Sequence, residues 1–172
     1  YYKKGKKYDM KENYHKALYF YEKSIENSEF VVDGYLNTYF LYEYIIFDYG
    51  FGYYYDISSS NCNSIFEYDL DYIMNEALRV FPDNNEIKFW NRYWDLLFID
   101  KPFSREECEE LVSDDNLVPY FFLYKYDEEK YKIKVQQLFS EIKTELTIKN
   151  RYVIGILSSN IHKNPIRHIR NK

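Results

Sequence analysis

Bulky apolar side chains in this chain return every three or four residues, and that spacing restricts what it can fold into. After Pro82, Phe89, Trp90, Tyr93, Trp94 and Leu97 keep helical register, and the helix they define should stop before Pro102. From Asp127 onward, Tyr131, Val135, Leu138, Phe139 and Ile142 share one face of an amphipathic helix. Between them, Ser104 followed three residues later by Glu107 reads as a capping box, which predicts a short acidic helix over 105–112. Pro119 limits the element after it. The run RYVIGILSSNIH suits either a helix or a buried strand. With no partner strand elsewhere, it reads as a last helix that packs the end of the stack and stops near Pro165. The expected fold class is all-α.

A chain of 172 residues can bury roughly 70% of the surface its unfolded form exposes, so one core, and one domain over 1–172, needs no metal or disulfide staple. The 22 Tyr and 13 Phe are more than a disordered chain carries. No apolar run approaches the roughly 18 residues of a membrane-spanning helix. Cys62 and Cys108 lie 46 positions apart without zinc-site spacing, which fits a reducing, cytoplasmic setting. The sequence starts at Tyr1, leaving a removed signal peptide or an upstream domain open. Alanine is scarce and Lys and Asn abundant, so part of the Tyr and Asn excess reflects coding bias.

Charge is unevenly placed. Between Lys23 and Arg79 no basic residue occurs, whereas ten acidic ones do, and that field repels nucleic acid. After Glu145 the sign inverts: Lys149, Arg151, Lys163, Arg167, Arg170 and Lys172 follow without one acid. Such a basic tail serves as a solvated end or pairs with the acidic body of its own chain.

Residues 1–29 carry Tyr1, Gly5, Tyr8, Ala17 and Tyr21 in a single register, and this resembles a tetratricopeptide repeat (TPR), with Lys4 and Glu29 departing from the pattern. A second unit resembles the family through Tyr35, Asn37 and Tyr42, although Tyr39 stands at the glycine position, where a phenol would push helices apart. Its second helix resumes with Leu70, Met74, Ala77 and Pro82 after an insertion near 48–66. Trp90 anchors a third unit. The resemblance reaches about residue 100 and implies a TPR-like array of helical hairpins, an α-solenoid, with irregular closing helices and the basic tail over 101–172.

The resemblance also implies a groove lined by the first helix of each unit. Its residues would be Asp33, Leu36, Phe40, Glu43 and Tyr44 from the second unit and Lys88, Asn91, Asp95 and Phe98 from the third. The family's carboxylate clamp needs cations where Phe40 and Asp95 stand, so it is rejected. An acidic, aromatic groove favours a protein or peptide bearing Lys or Arg, because ammonium and guanidinium groups pair with carboxylates and stack on ring faces.

No catalytic constellation emerges. His15 reads as a surface helix residue, and His162 and His168 do not share a helical face. Cys62 has no local partner, and Gly50-x-Gly52 lacks the third glycine of a phosphate loop. The expectation is a non-enzymatic interaction module without cofactor or metal. Two alternatives use the same residues: a small acidic immunity-type inhibitor of a basic toxin or nuclease, and a peptide-sensing domain of a regulator. A homodimer stays open.

Overall fold

A computed structural model describes residues 1–48 and 69–162, apart from the side chains at 47, 48 and 160–162. The predicted insertion near 48–66, with Cys62 and the Gly50-x-Gly52 run, and the predicted stop at Pro165 lie outside them. Nine α-helices make up the described residues, and no β-strand forms among them. They are α1 (Tyr2–Asp9), α2 (Tyr14–Glu26), α3 (Val32–Glu43), α4 (Leu70–Val80), α5 (Asn85–Ile99), α6 (Arg105–Glu110), α7 (Tyr120–Leu123), α8 (Glu128–Ile142) and α9 (Ile148–His162). The all-α expectation holds.

Polar residues start these helices by taking up the free N–H groups of the first turn. Asn13 caps α2, Asp69 caps α4, Asn84 caps α5 and Asp127 caps α8 through their side-chain oxygens. Ser104 and Glu107 form the reciprocal capping box expected from their spacing. Helix α5 ends at Asp100, whose φ of 52° is left-handed, two residues before Pro102.

The first five helices pack in chain order, each against the next. Helix α2 returns along α1, and a Cβ on Gly5 would sit 2.6 Å from the ring of Tyr21. Glycine is required there by close approach. Tyr21 cannot swing away, because its hydroxyl donates to Asp9 at 2.9 Å inside the core. Gly5→Ala should therefore cost about 1–2 kcal/mol in chemical denaturation despite alanine's better helix propensity.

Helix α3 lies at the centre. Every residue from Gly34 to Tyr42 is buried, as in a helix packed on all sides. Tyr39, expected to wedge helices apart, is only 4% exposed and rests on Trp94 with ring centroids 5.7 Å apart. Space for a phenol exists because an indole, not a backbone, faces it. The amphipathic face of α8 is realised: Tyr131, Val135, Leu138 and Ile142 are buried.

The last helix departs from expectation. Rather than closing the end of the stack, α9 lies against the C-terminal end of α1, the length of α3 and α5. Val153 and Leu157 are within the core at 1% and 0% exposure. An end cap needs only an apolar face, but α9 also carries a cation and a phenol that the acidic, aromatic flanks of α3 and α5 can satisfy.

Candidate functional site

The seat of α9 is built from charges far apart in sequence. At its first residue, Ile148 N–H donates to Asp9 Oδ1 at 2.8 Å, so a carboxylate 139 positions earlier satisfies the helix N-terminus. Burial raises the Asp9 carboxyl to about 6, against the hydrogen bonds from Tyr21 and Ile148 and the nearby Arg151, which pull it down. Lys149 follows, its side chain 8% exposed, with Nζ 2.6 Å from Asp33 Oδ1 and 2.6 Å from Glu86 Oε1. Burial alone would depress its pKa, but the two carboxylates outweigh burial and raise it above the ordinary lysine value. Trp90 Nε1 donates to the same Glu86 oxygen at 3.4 Å, and Tyr2 donates to Asp33 at 3.3 Å. Arg151 pairs with Glu12 at 2.8 Å and reaches the Met10 carbonyl at 3.3 Å.

One residue on, Tyr152 enters an aromatic box. Its ring centroid lies 5.3 Å from Phe40, 5.4 Å from Trp94 and 6.1 Å from Trp90, and its hydroxyl shares a 3.1 Å hydrogen bond with Tyr93. Edge and tilted contacts of this kind add stabilisation beyond the area buried. Burial foremost, then Tyr93 and Glu43, raise the Tyr152 phenol, which stays neutral.

The residues expected along an open groove do not share one surface. Leu36 and Phe40 are core residues at 1% exposure each, with Tyr152 of α9 over Phe40. Asp33 is engaged by Lys149. Tyr44 packs on Tyr14, centroids 5.1 Å apart, where α3 gives way to a π-helical turn. Only toward the far end of α5 does the expected surface stay open. Asn91 and Asp95 line a cleft of about 140 Å³ with Tyr39, Asp71, Trp94 and Phe98. Glu43 lies close enough to act on Tyr39: burial first, then Glu43, Asp71 and Asp95, raise that phenol. Lys88 is half-buried on α5.

Sequence reasoning missed Lys149, Tyr152, Glu86 and Asp9 as individual residues. The signal for Lys149 was the pairing of a basic tail with the chain's own acidic body, but nothing local says which acid it meets.

The chain matches no known protein family, no curated protein and no solved structure. A second cleft of about 220 Å³, beside Lys149, is rich in charge, but Lys6 pairs there with Glu145 and Lys149 with Asp33 and Glu86. Its two ammonium groups are thereby held by three of its five carboxylates. Among the described residues no group of His, Cys, Asp and Glu could hold a metal ion, and no helix is long and apolar enough to cross a membrane. Cys108 is buried, its thiol pushed up to about 12 by burial, so it behaves as a core residue rather than a nucleophile.

Proposed function

We propose that this chain is a non-enzymatic, TPR-like interaction module that holds a basic protein segment on the acidic, aromatic flank of α3 and α5. The observation that carries this reading is α9 itself. Its Lys149 is held by Asp33 and Glu86, and its Tyr152 by Phe40, Trp90 and Trp94, so the face already accommodates a helix bearing a cation and an aromatic ring. The hairpin-array reading is supported by the chain-order packing of α1 to α5 and by Gly5 under Tyr21. Since α9 fills the half of the face beside Asp33, a partner meets the remaining part, around Glu43, Asn91 and Asp95. Steering by these carboxylates makes association fast and salt-sensitive.

The test is affinity capture from the native host's lysate at low and at near-physiological salt. Wild type is compared with a Glu43→Lys, Asn91→Lys variant whose melting curve is unchanged. A basic protein should be retained by wild type, less so as salt rises, and about tenfold less by the variant. Equal retention by both would remove the face from consideration. Asp33 is left intact because reversing its charge would also break the seat of Lys149.

A further inference from the structure

We infer that this chain associates head to tail with copies of itself, the lysine-rich face of the α1–α2 hairpin on one copy meeting the acidic surface of α6 and the turn after it on the next. Neither surface belongs to the flank of α3 and α5 assigned above to a basic partner.

Rings fix the basic face. Tyr8 and Phe20 stack across the hairpin with centroids 5.5 Å apart and planes 3° from parallel. Lys4 Nζ lies 5.5 Å from the Phe20 centroid and Lys16 Nζ 5.3 Å from that of Tyr8, so both helices contribute to one surface. Lys7 and Lys11, three and seven positions after Lys4, extend it, and Lys3 stands one turn before Lys7. All five lysines are exposed, and among the described residues none is paired with a carboxylate. Ammonium groups three or four positions apart on a helix repel each other, and Lys3 and Lys4 stand in the first turn of α1, where the helix dipole disfavours cations. The acidic surface has the same character with the opposite sign. Glu106 and Glu110 lie one turn apart on α6, and Asp114 and Asp115 follow in the turn closed by Ser113 and Asn116. All four are exposed, and among the described residues none has an ion pair. Glu110 stands in the last turn of α6, where the dipole disfavours an anion. Their neighbours Glu107 and Glu109 are already taken, the first by Arg92 and the second by Arg105 and Lys130.

Helix α8 keeps the two surfaces apart. At its start Lys130 reaches Glu109 of α6 at 2.8 Å, and just past its end Glu145 pairs with Lys6 of α1. Its 15 residues span about 22 Å, well over the screening length of about 8 Å at physiological ionic strength. Charges so far apart do not neutralise one another within one molecule, whereas a second copy brings them into contact. The same screening weakens the repulsion that a net charge of -5 sets up between copies. Because the two surfaces sit at opposite ends of α8, the contact is heterologous and adds copies in a row or closes a ring. A face one hairpin wide is smaller than a standard interface, so the association is weak, with a Kd of roughly tens of micromolar.

Sedimentation velocity of the whole chain tests this between about 10 and 500 µM, in about 50 mM and about 500 mM salt. The average sedimentation coefficient should climb with concentration at low salt and fall back to the monomer value at high salt. Two variants with unchanged melting curves each remove one side of the contact: Lys3→Gln, Lys7→Gln, Lys11→Gln, which leaves the ring-bound lysines in place, and Glu106→Gln, Glu110→Gln, Asp114→Asn. Each alone should associate roughly tenfold more weakly than wild type. Mixed in equal amounts they still share one intact contact, so a 1:1 complex of wild-type affinity should form and nothing larger. The triple Lys→Arg variant at 3, 7 and 11, which keeps the charge, should behave as wild type. A chain that stays monomeric at every concentration overturns the proposal, as does self-association that survives high salt or persists unchanged in either neutralised variant. A mixture that forms no complex overturns it too, since the two surfaces would then not be partners.

Discussion

Replacing Lys149 with methionine should lower the stability of the chain by about 3 kcal/mol, a loss of roughly 6–12 °C in melting temperature. The side chains have similar length, so packing changes little and the charge is what goes. Asp33 and Glu86 then face each other without the ammonium between them. Breaking one partner out of a buried ion pair costs about 3–5 kcal/mol, and the lower end applies because the Asp33 side chain keeps 42% exposure and can rehydrate. Glu86, at 18%, has less access to water and carries most of the penalty. The control is Lys149→Met combined with Glu86→Gln, which removes the stranded charge. It should restore at least half of the loss in urea denaturation, whereas a result no better than Lys149→Met alone would mean that packing dominates.

The pH dependence of this cluster has a defined sign. Lys149 has a folded pKa raised above its ordinary value, so its contribution is complete below about 10.4 and fades only as pH climbs through the folded value. For Asp33, burial works upward, but Lys149 and the hydrogen bonds hold it below its ordinary value. Its contribution is present above about 4 and is lost as pH falls through that lower value. Between those limits the cluster is insensitive to pH.

Which parts of this fold were legible follows from how local their causes are. The capping box at Ser104 and Glu107 and the buried stripe of α8 depend on neighbours three or four positions away, and the spacing reveals them. Gly5 was readable because a small residue opposite an aromatic implies close helices. The course of α9 was not. Its seat depends on Lys149 meeting residues 116 and 63 positions earlier, and a lysine within a basic tail gives no sign that it will be buried. The same holds for the groove: Asn91 and Asp95 could be placed on one helical face from spacing, but that Phe40 would be covered by Tyr152 required the path of a helix still to come. The aromatic excess, partly discounted as coding bias, supplies the box around Tyr152 and much of the core.

Asp9 gives the second large effect, and its direction is opposite to that of Asp33. Its raised pKa of about 6, against an unfolded value near 3.9, means that the folded chain takes up its proton first as pH falls. Stability therefore increases on acidification through that window, and at pH 7, where both states are ionised, the buried charge costs roughly 3 kcal/mol. Below about 4 the trend reverses. Asp33 contributes there, as does Glu109, held down to about 2 by hydrogen bonds from Lys130, Tyr131 and Arg105. Wild type should thus be most stable between about pH 4 and 5. In Asp9→Asn the side-chain oxygen still accepts from Ile148 and the amide can donate to the Tyr21 hydroxyl, so the neutral analogue keeps both contacts without the buried charge. It should be about 1–3 kcal/mol more stable than wild type at pH 7, by a margin that narrows as pH falls toward about 4, and its own stability should be flatter across that range. Asp9→Ala leaves the Ile148 N–H and the Tyr21 hydroxyl unpaired and should be less stable than wild type by about 2–4 kcal/mol, the deficit being larger at pH 5 than at pH 8 because alanine does not titrate. Urea denaturation across that range separates the two. An Asp9→Asn variant that keeps the wild-type slope would assign the titration to another group, and one that destabilises at pH 7 would show that the charged carboxylate is what holds the N-terminus of α9.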